Sequence, residues 1–440
     1  MKQKLITIGM LLVLLAISAC GGGQAATSEA AASGAQIDSS GHITLEFWFA
    51  LGGDSGKAVE DLVTQFNQSQ SDITVNATYQ GGYAAMIAKV WSAVSGGGLP
   101  AVAQVGAAPL LGSTGSIVAI EDLLAGENGF DRNQIPEVFW DYNRAGGKIW
   151  SMPFNQSVPV MFYNRDLFKA AGLDPDAPPQ TWDEVIEYGK KLTQDTDGNG
   201  AIDQWGFNTA EDNHWYLSAM LLSNGAQIVN AEETEVLYNS PEGVAMLALW
   251  GDMVNTYKIM PPNQHNEAKG DFLAGKLGML LDSSAGIPSM ESDSNFDLGV
   301  AILPAAGDQP RRIPVGGASL LIFKNANTEI EQAAWTFIQF MVSKESSLFL
   351  STHTGYLPIY ASAADWPELQ SYWEEHPNRR VPVDQLQFAV AIPEFPALGT
   401  SDTELRNAMQ AIELNQGDAQ TLLDAAKAAV DKSIAEGSSQ

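Results

Sequence analysis

Cysteine is almost missing from this chain: Cys20 is the single one in 440 residues. No disulfide framework can form within the chain, and a thiolate zinc site has no ligands to use. Histidine is scarce too, at 42, 214, 265, 353 and 376, and none stands in an H-E-x-x-H pair. Basic residues are few. The 23 lysines and arginines face 52 aspartates and glutamates, a formal charge of −29. That field disfavours nucleic acid and anionic lipid surfaces as partners. No G-x-S-x-G elbow is present. Gly270–Lys276 has Walker spacing, but Leu277 replaces the magnesium-binding hydroxyl and Phe272-Leu273 is too bulky for a phosphate cradle. It reads instead as a glycine-ended helix before a Met279-Leu280-Leu281 strand.

What the N-terminus does hold is distinctive. Lys2 and Lys4 precede an apolar run, Leu5 to Ala16, too short for an ordinary membrane span. Small residues then lead to Cys20, the pattern of a lipobox. The expectation is a lipoprotein signal peptide over 1–20, with Cys20 lipidated and the mature protein extracytoplasmic and held to a membrane. The plain alternative is an uncleaved anchor. Residues 21–41 are poor in large apolar side chains and read as a flexible linker reaching on the order of 25 Å. The remaining ~400 residues exceed what one core usually serves, so two domains are expected.

The body alternates strand and helix patterns. Ile43, Leu45, Phe47 and Phe49 have strand period, and Val59, Leu62, Val63 and Phe66 share a helix face. Ile73 to Tyr79 alternate again, and Ile87, Val90, Trp91 and Val94 form a second stripe. This order argues an α/β fold with parallel-rich sheets and flanking helices. Thr181-Trp182-Asp183-Glu184 and Thr328-Glu329-Ile330-Glu331 match the capping box, and Ser240-Pro241 reads as a cap followed by a first-turn proline. Asp418 to Ile434 reads as a final amphipathic helix. Asp195, Asp197, Asn199 and Asp203, with Gly200 between, follow the first positions of a calcium loop, though Gly206 replaces its bidentate acid. Either a structural calcium or a polar turn fits.

Residues 146–182 carry a further signal. Gly146-Gly147-Lys148-Ile149-Trp150-Ser151-Met152-Pro153-Phe154-Asn155-Gln156-Ser157 runs on through Tyr163-Asn164-Arg165-Asp166-Leu167-Phe168 to Thr181-Trp182. This resembles the hinge-crossing block of extracellular solute-binding proteins, family 1, which serve ABC importers. Leu45-Glu46-Phe47-Trp48, Gly316-Gly317-Ala318-Ser319-Leu320 and Thr354-Gly355-Tyr356-Leu357-Pro358 resemble other motifs of that family, closest to its glycerol-3-phosphate-binding branch.

The resemblance implies a two-lobed type II binding-protein fold with a hinge. Lobe 1 would be 42–156 plus 303–343, and lobe 2 would be 157–302 plus 344–440. It implies capture of a sugar or glycerol-phosphate-type solute by cleft closure, delivery to the permease, and no catalysis or cofactor. Tyr83, Ser157, Ser283, Gly317, Tyr356 and Arg406 would contact the solute, with Trp48, Trp215 and Asp282 as further candidates. Arg406 would grip a phosphate through paired hydrogen bonds. Ala107 departs from the branch, which carries an acid there, and leaves room for a larger sugar or a glycerophosphodiester. Without the resemblance, the serines read as turn or cap residues, the tryptophans as core and Arg406 as surface. A cell-surface glycoside hydrolase or carbohydrate-anchoring lipoprotein is the alternative function; it needs an acid pair and turnover.

Overall fold

The computed structural model describes residues 34–437 apart from 107, 127, 211–213, 308, 393 and 396. The signal segment with Cys20, residues 21–33 and Ala107 lie outside the described residues. In chain order the strands are β1 (Ala35–Ile37), β2 (Ile43–Phe49), β3 (Ile73–Tyr79), β4 (Val102–Val105), β5 (Arg144–Ala145), β6 (Lys148–Ile149) and β7 (Met152–Ser157). They continue with β8 (Pro159–Asn164), β9 (Trp205–Thr209), β10 (Leu277–Ser283), β11 (Leu298–Ala301), β12 (Ile313–Pro314), β13 (Gly316–Ile322) and β14 (Ala389–Val390).

Two sheets organise them. The first runs β1-β2-β4-β13-β7 with β3 on β2, and the second runs β11-β8-β10-β9. Parallel pairing links β2 to β3 and β4 and links β9 to β10, as helical crossovers require. Strands that arrive from the other sheet, β13 and β8, pair antiparallel. The leash expected to run to residue 41 ends sooner, because Ala35–Ile37 pair with Ile43–Leu45 and Ala35 is buried.

The first apolar stripe meets the core as its period predicts, whereas on the helix Tyr83–Gly96 the buried face is Met86, Val90 and Ala93, so Trp91 of the expected second stripe is exposed. Val59, Leu62 and Phe66 of the helix Gly53–Ser69 are buried, and Phe337 meets both Phe66 and Phe47 edge-on at 5.1 and 5.3 Å. Beside the second sheet, Trp182 stands edge-on to Phe207 at 6.1 Å. The capping box at Thr181 forms with Glu184. At the next one the cap moves back one residue, since Asn327 accepts from the Glu329 N–H and Thr328 is already helical. The helix Lys344–His353 packs on Gly53–Ser69 of the first lobe rather than in the second, where 344–440 was expected.

The chain passes between sheets at Val158, and that point is clamped. Val158 N–H donates to Ser284 Oγ at 3.2 Å, and Ser284 N–H donates to the Val158 carbonyl at 2.9 Å. Buried Gln385 donates to the Pro159 carbonyl (2.8 Å) and accepts from Leu303 N–H (3.2 Å), tying the outgoing strand to the returning one. Gln156 donates to the Ala318 carbonyl (3.0 Å), and its own carbonyl accepts from Leu357 N–H (2.8 Å).

The second lobe contains a buried polar knot. Glu413 accepts from Trp250 Nε1 (2.6 Å) and Asn263 N–H (2.7 Å), and lies 2.8 Å from His265 Nε2. His265 Nδ1 sits 2.8 Å from Asn208 Oδ1. The knot joins the helix Leu398–Glu413 to β9, so removing its centre strands several buried partners. Glu413→Ala should lower unfolding free energy by about 3–5 kcal/mol in urea titrations. A loss below about 1 kcal/mol would show that water replaces the carboxylate.

Candidate functional site

A cavity of about 450 Å³ opens between the sheets, lined by residues of both. It lies where β9 and β10 end, the crevice at which parallel strands expose their carboxyl ends. Ser157 ends β7, Gly316 and Gly317 begin β13, and Asp282 and Ser283 end β10. Trp215 and Tyr216 come from the helix His214–Ser223, and Tyr83 opens the helix Tyr83–Gly96. Seven of the expected residues therefore share one lining: Tyr83, Ser157, Trp215, Asp282, Ser283, Gly317 and Tyr356.

Two expected residues fall elsewhere. Trp48 lines a separate hollow with Glu46, Asn76 and Leu99, and carries Lys89 over its ring at 5.9 Å. Its place in β2 turns it away from the cleft. Arg406 is half-buried on the helix whose first residue, Leu398, lines the cavity. It stands about 12 Å further along that helix and is not part of the lining. Tyr142, Tyr216 and Glu394 line the cavity and were not foreseen. Tyr142 and Tyr216 read as ordinary amphipathic positions. Glu394 sits in a Pro-Glu-Phe-Pro stretch with no periodicity to place it.

Gly317 shows why the sequence is glycine there. Its φ is +104°, and an added Cβ would overlap the Asn155 carbonyl oxygen. Its own carbonyl accepts from Tyr142 Oη at 3.2 Å. Gly316 has a different neighbour: a Cβ there would reach Trp215 at 2.8 Å, so the indole rests against the strand start.

Asp282 is the polar centre of the second wall. Its Oδ1 accepts from Tyr216 Oη (2.8 Å) and from Ser283 N–H (2.6 Å). Burial pushes its pKa up, against the opposing pull of those two hydrogen bonds and of Lys269. Ser283 Oγ accepts from Ala285 N–H at 3.2 Å, capping the short turn that follows. On the first wall Tyr83 is 39% exposed while its hydroxyl lies between Asn155 and Tyr356; burial raises its pKa against the pull of those two hydrogen bonds. Tyr142 is raised by burial and then by the Glu394 charge.

The acidic loop is elsewhere. Carboxylate oxygens of Asp195, Asp197 and Asp203 lie within 4.8 Å of one another. They already accept from their own loop. Asp195 takes Gly198 and Gly200 N–H at 2.7 Å each, Asp197 takes Asn199 N–H at 3.0 Å, and Asp203 takes Thr196 Oγ1 and N–H. The residues close a turn on themselves, and none lines the cavity.

Residues 61–378 match the family model for bacterial extracellular solute-binding proteins. The chain belongs to that family. This solute-binding protein is 28% identical over 351 residues to the sn-glycerol-3-phosphate-binding periplasmic protein UgpB of Salmonella typhimurium, covering 78% of this chain and 80% of the relative. It is 29% identical over 353 residues to UgpB of Escherichia coli O6:K15:H31, with the same coverage of 78% and 80%. Its fold matches UgpB from Mycobacterium tuberculosis in complex with glycerophosphocholine at a TM-score of 0.80 and 23% identity, covering 90% and 99% of the two chains. It also matches a cyclic α-maltosyl-1,6-maltose binding protein from Arthrobacter globiformis at 0.76 and 22%, with 90% and 99% covered. It is thus an extracellular solute-binding protein, similar in sequence to sn-glycerol-3-phosphate-binding proteins and sharing its fold with sugar-binding ones. Among the described residues no helix is long and apolar enough to cross a membrane.

The raised pKa of Asp282 yields a signed prediction. A carboxyl whose folded-state pKa lies above its unfolded value opposes folding once pH rises through the unfolded value. That penalty is full above the folded value and absent in acid. Asp282→Asn, which keeps an acceptor for Tyr216, should raise the melting temperature of the solute-free protein at pH 7. The gain should shrink toward zero as pH falls below the ordinary carboxylate range. An equal gain at every pH would assign it to packing.

Proposed function

We propose that this protein captures a glycerol-phosphate-type solute, a glycerophosphodiester ahead of the free monoester, by closing its two lobes and presenting it to a permease. The composition of the cavity wall carries the reading. Four tyrosines (Tyr83, Tyr142, Tyr216, Tyr356) and Trp215 stand with two buried acids, Asp282 and Glu394, and the described lining contains no lysine or arginine. Tyrosine hydroxyls donate to phosphodiester oxygens, and carboxylates accept from hydroxyls. A cationic headgroup is attracted both by carboxylates and by aromatic faces. A monoester near its second ionisation brings more negative charge against the same two acids. The glycerol-phosphate relatives and the glycerophosphocholine complex of the Mycobacterium tuberculosis neighbour support the class. Arg406, near the cleft on the helix Leu398–Glu413, is proposed to reach the phosphate on closure. The aromatic faces favour a second reading, an oligosaccharide stacked on Trp215.

The two lobes act as a receptor, and the solute leaves unchanged; Asp282 and Glu394 bind rather than catalyse. Lipidation at Cys20 is proposed to hold the receptor at the membrane. Cys20→Ser should then release the protein from membrane fractions or block its processing. Calcium in the 195–203 loop would act on stability alone, so melting should rise with calcium over chelator and the rise should vanish in Asp197→Ala. Identical melting in both conditions assigns the loop to a self-satisfied turn.

Calorimetry with glycerophosphocholine, sn-glycerol 3-phosphate and maltotriose tests the solute class. Glycerophosphocholine should bind tightest and be recovered intact, and Trp215→Ala should weaken it about tenfold or more. Binding of maltotriose alone selects the oligosaccharide, and hydrolysis of any of the three returns the hydrolase alternative.

A further inference from the structure

Beneath Tyr83 lies a line of buried amides whose direction is fixed at its far end. Ala50 N–H can only donate, and it donates to Gln104 Oε1 at 2.8 Å. The Gln104 amide nitrogen must therefore face the other way. It donates to Asn155 Oδ1 at 2.8 Å, which turns the Asn155 amide nitrogen outward to donate to Tyr83 Oη at 2.9 Å. Both amides are fully buried, so no water can reverse the order. Tyr83 is thus an acceptor on its inner side.

The consequence reaches the cavity. Tyr83 Oη and Tyr356 Oη are 3.4 Å apart. The pair owns two hydroxyl hydrogens, and Asn155 already fills one acceptor site on Tyr83. At most one hydrogen is consumed between the two rings. At least one is left over from the pair, whichever ring donates to the other. We infer that Gln104 and Asn155 are positioning residues for specificity: they hold the Tyr83–Tyr356 pair as a hydrogen-bond donor, so the solute must place an acceptor oxygen there. The opposite wall has the reverse polarity, because Asp282 accepts from Tyr216 and Ser283 and, as a carboxylate, accepts from a solute as well. The solute is therefore sorted end from end: acceptor oxygens to Tyr83 and Tyr356, hydroxyl or ammonium hydrogens to Asp282. This rests on the cavity being the solute site, and for a glycerophosphodiester it places the phosphate oxygens on the tyrosine pair.

Gln104→Glu reverses the line without touching the cavity. A glutamate must accept from both Ala50 and Asn155. The Asn155 amide then turns over, and Tyr83 has to donate inward. Glycerophosphocholine affinity should fall about tenfold or more. In a Tyr83→Phe background, where no hydroxyl remains to be turned, the same change should cost less than about threefold. Asn155→Leu, near in size and uncharged, covers the case in which a buried glutamate prevents folding; it should show the same dependence on the Tyr83 hydroxyl. A merely structural role would lower the melting temperature and the affinity equally in both backgrounds, and that additive result overturns the inference. If glycerophosphocholine does not bind, the glycerol-phosphate reading fails by itself. The cycle is then run with maltotriose, where coupling again supports the line and additivity overturns it. Failure of both solutes to bind, or full affinity in Tyr83→Phe, removes the pair from the solute and overturns it outright.

Discussion

The pairing of β7 with β13 is the constraint on which the site depends. Gly316 lies opposite Ser157, Gly317 opposite Gln156 and Ala318 opposite Asn155, with a register shift just after. That short antiparallel stretch does three things at once. It carries the chain to the crossing at Val158, presents Ser157 and Gly317 to the cavity, and aims Asn155 at Tyr83. Only glycine fits at 317, because the strands approach there closer than a Cβ allows. A larger residue would part the strands and move the crossing and the tyrosine pair together.

Around the crossing, ordinary hydrophobic packing gives way to buried amides. Gln156 and Gln385 each satisfy main-chain groups from segments far apart in sequence. An amide fits this task because it carries no charge to desolvate, and that of Gln385 both donates and accepts. The links involve few bonds at one line between lobes, leaving the rest of the cleft open. Such an arrangement suits rotation about a narrow seam, the motion by which two-lobed receptors close on ligands.

Much of this was legible in the residues. Period-two and helical stripes placed the strands 43–49 and 73–79 and the helices after them, because burial on one face leaves a direct mark on sequence. Tyr83, Ser157, Ser283, Gly317 and Tyr356 were reached through motif resemblance, and they do share a cavity. The misses have physical reasons. Trp48 is equally suited to a hollow outside the cleft, and sequence spacing carries no sign of which side of a sheet a ligand occupies. Residues 35–37 look like linker because a three-residue edge strand takes its stability from main-chain pairing with β2, which composition does not encode. Gln104 and Asn155 did leave a trace: each is a polar residue inside a strand buried along its whole length, where an amide must have partners. Nothing comparable marks Glu394.

Charge on two scales favours the same kind of solute. The whole chain carries a formal −29, which slows the approach of anions and is neutral toward uncharged or zwitterionic molecules. Inside the cavity, Asp282 and Glu394 repeat the sign at short range, where lower dielectric strengthens it. A solute with one phosphodiester charge balanced by its own cation experiences little of the first field. It can also exploit the second, because its cation and its phosphate can lie against opposite walls. The amide line under Tyr83 leaves hydroxyl hydrogens for a solute's acceptor oxygens without adding a positive side chain to the described lining. The wall chemistry and the net charge therefore both agree with the proposed solute class, a polar molecule whose own charges balance.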